Sequence, residues 1–220
     1  MKNLKNALLL KHLYQLKDLG YRYTSLTPYV ASEPNLKLFE GVEAIKIQAH
    51  DCQLCKLSQT RKRVIFGDGN SQADIMFVGD FPSNSDEIVG RVFTSKVGDL
   101  LTKMIQSVLM IEKDKIYLTN ILKCRPIDTT NPSATYAHTC MPYLLKQLEF
   151  IKPKIVVAFG EMTYHYLTGE NKKIEEIRGN RYRQNDYIII PTHHPRDILK
   201  NPSLKREIFE DLKLIRDSLS

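Results

Sequence analysis

Apolar positions along the chain recur with two different periods, and the two alternate. Short dense runs rich in β-branched and aromatic residues occur at Asp74-Ile75-Met76-Phe77-Val78-Gly79, Ile116-Tyr117-Leu118-Thr119-Asn120, Lys154-Ile155-Val156-Val157-Ala158-Phe159 and Tyr187-Ile188-Ile189-Ile190. Each reads as a buried strand. Between them the apolar spacing is helical. Val97, Leu100, Leu101, Met104, Ile105 and Val108 mark a helix over 96–109, and Leu144, Leu145, Leu148 and Ile151 a helix that also carries Cys140. Further helices are expected over about 36–50, 161–167 and 203–219, and an amphipathic one over 1–19 that Gly20 ends. Residues 21–35, with Pro28 and Pro34, read as a linker, 80–87 as a loop without apolar period, and 172–183 as a basic polar segment with a hairpin or loop around Arg178-Gly179-Asn180.

Strands that alternate with helices pair in parallel, because a crossover must return the chain to the same sheet edge each time. The expected fold class is α/β: a three-layer α/β/α arrangement around a central four-stranded parallel sheet, preceded by an N-terminal helical extension over 1–40. In such a sheet the carboxyl ends of the strands share one edge, where open α/β folds bind their ligands. The polar groups after three strands, Asp80 to Glu87, Asn120, and His193 with His194, therefore converge on one cleft.

At 220 residues the chain can bury one good core. No apolar run approaches a membrane span, and the apolar stretch after the basic start is only Ala7 to Leu10, so export is not expected. A formal charge of +7 favours a polyanionic partner. Basic residues cluster at Arg61, Lys62 and Arg63. A monomer acting in the cytoplasm is the expectation.

Four cysteines, Cys52, Cys55, Cys124 and Cys140, form a C-x2-C pair and two distant partners, with none left over. In a reducing compartment that pattern reads as metal ligands rather than disulfides. The close pair lets one turn offer two thiolates to a metal; a zinc site more often has two close pairs, and the wide third and fourth positions suit an iron–sulfur cluster at least as well. Buried thiols without a ligand remain a further reading. Asn120 offers one donor and one acceptor, enough to read a pyrimidine edge, although asparagine also caps turns. Phe93 is either a core ring or a stacking platform for a base. His194, ahead of Pro195, could donate to a developing anion. Asp80, Asp86 and Glu87 are an acidic group on a basic protein.

Taken together, Gly79-Asp80-Phe81-Pro82-Ser83, Asp86-Glu87, Gly90-Arg91-Val92-Phe93, Thr119-Asn120-Ile121-Leu122-Lys123-Cys124-Arg125-Pro126 and His194-Pro195 resemble, in order, the motifs of the family 4 uracil-DNA glycosylases. The resemblance runs from about residue 41 to 220, which sets the expected domain, and the cysteine spacing is similar to that family's [4Fe–4S] ligand pattern. It implies a DNA repair enzyme that hydrolyses the N-glycosidic bond of uracil in DNA and leaves an abasic site. Phe93 would stack on a flipped-out uracil, Asn120 would read its O4 and N3–H edge, and His194 would hydrogen-bond O2 and stabilise the uracil anion. Asp80 with the acidic loop, including Asp86, would help position water and stabilise a cationic sugar, and Phe81 would stand near the pocket floor. Arg61, Lys62, Arg63, Lys123, Arg125 and Arg196 would contact phosphates. The chain departs from the family at the first motif, where Gly-Glu-Ala/Gly-Pro-Gly is usual, and at Arg196, where alanine is more usual. A rival expectation is thus a cluster-bearing nucleic-acid binding member whose chemistry is altered.

Overall fold

The computed structural model describes residues 41–112, 115–128 and 134–219. The helix expected over 1–19, the linker after it and the start of the helix over 36–50 lie outside the described residues. Elements follow in the order α1 (Val42–His50), α2 (Leu57–Thr60), β1 (Asp68–Gly69), β2 (Ile75–Gly79), α3 (Asn84–Val89), α4 (Lys96–Met104), β3 (Ile116–Asn120), α5 (Ala134–Ile151), β4 (Ile155–Phe159), α6 (Gly160–Thr168), α7 (Ile174–Ile177), β5 (Tyr182–Gln184), β6 (Tyr187–Thr192), α8 (Pro195–Lys200) and α9 (Lys205–Asp217).

One sheet in the order β1-β3-β2-β4-β6-β5 organises them. Its central strands β3, β2, β4 and β6 are parallel, as the alternation predicts. Two short antiparallel strands extend it to six: β1 pairs with β3, and β5 returns through a tight hairpin to β6. They escaped the sequence reading because two or three half-exposed polar residues carry no apolar period. All residues of β2, β3 and β4 are buried, which is why these strands read as continuous apolar runs rather than as alternating ones.

Successive side chains still divide between the two faces. Met76, Val78, Tyr117, Val156, Ala158 and Ile189 join one core with residues of α1, α5, α6 and α7. Ile75, Phe77, Leu118, Val157 and Ile190 join the other with α4 and α9. Helices thus cover both faces, giving the three layers.

Three local readings change. The stretch read as a loop over 80–87 contains α3, which begins in a capping box: Ser83 Oγ accepts the Asp86 N–H, and the Asp86 carboxylate accepts the Ser83 N–H. Gly90, at φ 86, closes it in the left-handed conformation. The capping residues were the available signal there; six residues are too few for a period. The helix over 96–109 ends as α4 plus a π-helical turn, Ile105–Leu109. The last helix begins at Lys205, after a separate short α8 that Pro195 opens at its first turn.

Candidate active site

The carboxyl ends of β2, β3 and β6 bring the polar clusters to one edge of the sheet. Gly79 ends β2 beside Asn120, its register partner at the end of β3, and Ile121 N donates to Gly79 O at 2.8 Å. The absent side chain of Gly79 lets three of the site's groups pack closely together. A Cβ there would overlap Asn120 Oδ1 and lie 3.1 Å from Phe93 Cζ and 3.5 Å from His194 Nε2. An amide, an aromatic ring and an imidazole nitrogen therefore converge on one point. They line a cavity of about 240 Å³ with Phe81, Ser83, Asn84, Asp86, Arg125 and Arg196 among its other walls. Asn120 is buried, and among the described residues its side-chain amide makes no hydrogen bond within the protein.

Phe93 is held in a costly conformation. Its φ is 52, uncommon for a bulky residue, and Gly98 makes room for it, since a Cβ at 98 would overlap the Phe93 carbonyl. Asp86 fixes the next residue. One of its oxygens accepts the Thr94 N–H at 2.7 Å and the Thr94 hydroxyl at 2.9 Å, and the other accepts the Ser83 N–H at 2.8 Å. Asp86 was expected to touch substrate. Both its oxygens accept from the protein, which ties the segment after Phe93 to the start of α3, and the residue also lines the cavity.

His194 is the N-cap of α8, and its Nδ1 accepts the backbone N–H of Arg196 at 3.0 Å and Arg196 Nε–H at 3.1 Å. With Nδ1 an acceptor, the neutral ring carries its proton on Nε2, the nitrogen facing Gly79. Burial, reinforced by the charges of Arg196 and Lys200, holds the His194 pKa well below the ordinary histidine value, so the ring is neutral at pH 7.

Asp80 lines an adjoining polar cavity that shares His194 and Arg196 with the base cavity. Its Oδ1 accepts the Phe81 N–H at 2.7 Å and pairs with Arg196 Nη2, and it stands 3.8 Å from His194 Nε2. Burial raises its pKa, opposed by Arg196 and the Phe81 N–H. Phe81 lines the cavity wall without filling it, and the Arg196 guanidinium carbon lies 4.8 Å from its ring centroid. Glu87, grouped in the sequence with the acidic loop, is buried and accepts the Lys62 N–H at 2.7 Å, which ties the basic segment to α3.

The four cysteines also come together. All are free thiols lining one small pocket with Arg61, Lys123 and Tyr143. Arg61 Nη1 lies 3.8 Å from Cys124 Sγ, and Lys123 N donates to Cys140 Sγ at 3.3 Å. Burial pushes the Cys124 thiol up to about 12 and Cys140 up to about 11, each raised further by neighbouring cysteines. Thiolates so placed need a positively charged ligand to exist. No three His, Cys, Asp or Glu side chains among the described residues stand close enough to hold a single metal ion.

Arg61, Lys62 and Arg63 line a neighbouring open cavity of about 380 Å³ with His50, and Arg125 lines the base cavity. Lys123 does not join them. It is 2% exposed, and its Nζ donates to Thr119 Oγ1 at 2.7 Å, Asn120 O at 2.7 Å and Gln147 Oε1 at 2.6 Å. The expected phosphate contact is corrected by that burial, which also pulls the ammonium pKa down to about 7. Sequence reasoning missed Gln147 and Thr119, which complete this network below Asn120, because nothing in a helical or strand period marks a buried polar residue. It also missed Gly79 as the point where Asn120 and Phe93 pack against the strand, although a glycine closing an apolar strand signals close approach of another group.

Comparison with known proteins agrees with this arrangement. Residues 66–213 match the uracil DNA glycosylase superfamily. The chain is 38% identical over 186 residues to the type-4 uracil-DNA glycosylase of Sulfurisphaera tokodaii, covering 81% of this chain and 84% of that protein. It is 35% identical to the type-4 uracil-DNA glycosylase of Saccharolobus solfataricus, covering 82% and 88%, and 31% identical to that of Archaeoglobus fulgidus, covering 80% and 92%. The chain is a type-4 member of the uracil-DNA glycosylase superfamily.

Proposed function

We propose that this chain removes uracil from DNA by hydrolysing its N-glycosidic bond. The observation that carries the reading is that buried Asn120, the Phe93 ring and His194 line one cavity, packed close together against Gly79. A base inside a duplex cannot reach such a recess, so the nucleotide must be extruded into it. Phe93 offers the stacking face. The Asn120 carbonyl accepts uracil N3–H and its amino group donates to O4; cytosine presents the opposite pattern at both positions.

As the C1′–N1 bond breaks, its electron pair passes to the base and spreads over O2 and O4, and the sugar becomes cationic. His194, neutral with its proton on Nε2, donates to O2 as that charge develops. Asp80, paired with Arg196 beside His194, is the carboxylate that stabilises the sugar. Water then bonds to C1′ and releases a proton to solvent, and the uracil anion is protonated from water. Arg61, Lys62, Arg63 and Arg125 form the phosphate-binding rim, with Lys123 excluded by its burial.

Cys52, Cys55, Cys124 and Cys140 fit a [4Fe–4S] cluster: four free thiols from three segments face one pocket, with donors aimed at two of the sulfurs. Such a group is structural here, fastening α1, α5 and the loop that follows Asn120.

The test is excision from labelled oligonucleotides carrying one uracil, thymine or cytosine, followed by alkaline cleavage at abasic sites. Breaks at uracil alone, lost in Asn120→Ala and His194→Ala, support the reading. Protein that binds the uracil oligonucleotide and leaves it intact overturns it.

A further inference from the structure

Arg196 occupies a position that a phosphate-binding surface residue would not. Its guanidinium reaches back across the start of α8, pairs with Asp80 Oδ1, lies against the Phe81 ring, and brings Nη2 to 3.0 Å from His194 Nε2. The side chain is only 28% exposed. It walls the base cavity on one side and a second, polar cavity on the other.

The contact between Nη2 and Nε2 is the informative one. Nδ1 of His194 is already an acceptor for two Arg196 N–H groups, so Nε2 carries the ring proton. Nη2 of a guanidinium is also a donor and has no acceptor capacity. Two donors thus stand 3.0 Å apart with no protein acceptor shared between them. That is half of an anion site, completed by one oxygen placed against both. Asp80 meets the demand on one flank of Nη2, yet lies 3.8 Å from Nε2, too far to serve the pair. The oxygen that fits is one arriving from the base cavity, which His194 and Arg196 both line.

We propose that Arg196 is a catalytic residue of this chain, donating from Nη2 beside His194 Nε2 to O2 of the departing uracil. This rests on the glycosylase reading above and deepens it. The division of labour follows from the chemistry. His194 supplies a neutral hydrogen bond, and Arg196 supplies the positive charge that a neutral imidazole lacks. The same charge opposes protonation of His194, so the two roles reinforce each other. Asp80 and Phe81 hold the guanidinium in place from its other edges, which makes Asp80 a partner of the leaving-group side as well as of the sugar.

The test compares wild type with Arg196→Ala and Arg196→Lys in single-turnover excision of uracil and of 5-fluorouracil from otherwise identical oligonucleotides. A donor to the leaving group matters less when the leaving anion is intrinsically more stable. Arg196→Ala is therefore expected to slow uracil excision by about 10²-fold, the usual cost of one anion-stabilising donor, and 5-fluorouracil excision by distinctly less, with Arg196→Lys between. An equal loss on both bases, or faster excision by Arg196→Ala, overturns the proposal; the first would mean a purely structural part, the second a plug over Asp80. A binding readout separates this outcome from failure of the glycosylase reading. Wild type should bind free 5-nitrouracil, which ionises far more readily than uracil, more tightly than uracil at neutral pH, and Arg196→Ala should lose that preference. If the preference survives the substitution, Arg196 does not meet the anion, whether or not the protein cleaves DNA.

Discussion

Replacing Gly79 by alanine should close the base site while leaving the protein folded. The added Cβ would overlap Asn120 Oδ1 and come within 3.1 Å of Phe93 Cζ. Neither neighbour gives way easily: Asn120 is fixed by its register with Gly79 and by Lys123 on its carbonyl, and Phe93 by its left-handed backbone against Gly98. Restoring ordinary contact requires the amide to retreat by about 1 Å, a displacement that typically costs about 10²-fold in rate. Overpacking of this kind costs about 1–3 kcal/mol, well inside the ~5–15 kcal/mol by which domains are stable. The assay is single-turnover uracil excision beside urea denaturation of the same preparation. Gly79→Ala should unfold cooperatively at a modestly lower midpoint and excise uracil at least ~10²-fold more slowly. Excision within about threefold of wild type, a difference of less than ~1 kcal/mol, would refute the reading that the Asn120 amide, as packed against Gly79, reads the base.

Other outcomes follow from the same geometry. Because burial, Arg196 and Lys200 hold His194 neutral, with Asp80 as the facing carboxylate, excision should not fall through a histidine titration between pH 7.5 and about 6. The same depressed pKa makes a stability contribution present above the unfolded value of about 6.5 and lost as pH falls toward the folded one; His194→Gln should flatten that part of a Tm-against-pH curve, and an unchanged slope would sink the assignment. Asp80, raised by burial, contributes with the opposite sign, favouring the fold below about 3.9 and losing that advantage as pH rises. Substituting any one of Cys52, Cys55, Cys124 or Cys140 by serine should remove iron, acid-labile sulfide and visible absorption together and lower the Tm; a colourless wild type carrying zinc would contradict the cluster. DNA binding should weaken steeply with salt, and Arg63→Ala, at an exposed position beside Arg61 and Lys62, should lower the log–log salt slope by about 1 without changing base preference, whereas Lys123→Met should leave that slope unchanged and destabilise the fold.

How far the sequence alone carried the structure varies with the range over which each feature is determined. The strands Ile75–Gly79, Ile116–Asn120 and Ile155–Phe159 were legible because burial on both faces imposes unbroken apolar runs, and their alternation with helices dictated a parallel centre and hence one ligand edge. The residue types that read a base, Asn120, Phe93 and His194, were legible as chemistry placed at that edge. Features set by contacts between distant segments were not. Lys123 looks like any basic residue after a strand until Thr119, Gln147 and the Asn120 carbonyl are seen to enclose it. Nothing local shows that Ser83 and Thr94 bond the Asp86 carboxylate, or that Asp80, more than a hundred residues earlier, pairs with Arg196. Local pattern determines which elements form and what their ends can offer, because period and capping act within a few residues. Which charges are buried, paired or left facing the base depends on groups that only tertiary packing brings within a hydrogen bond of one another.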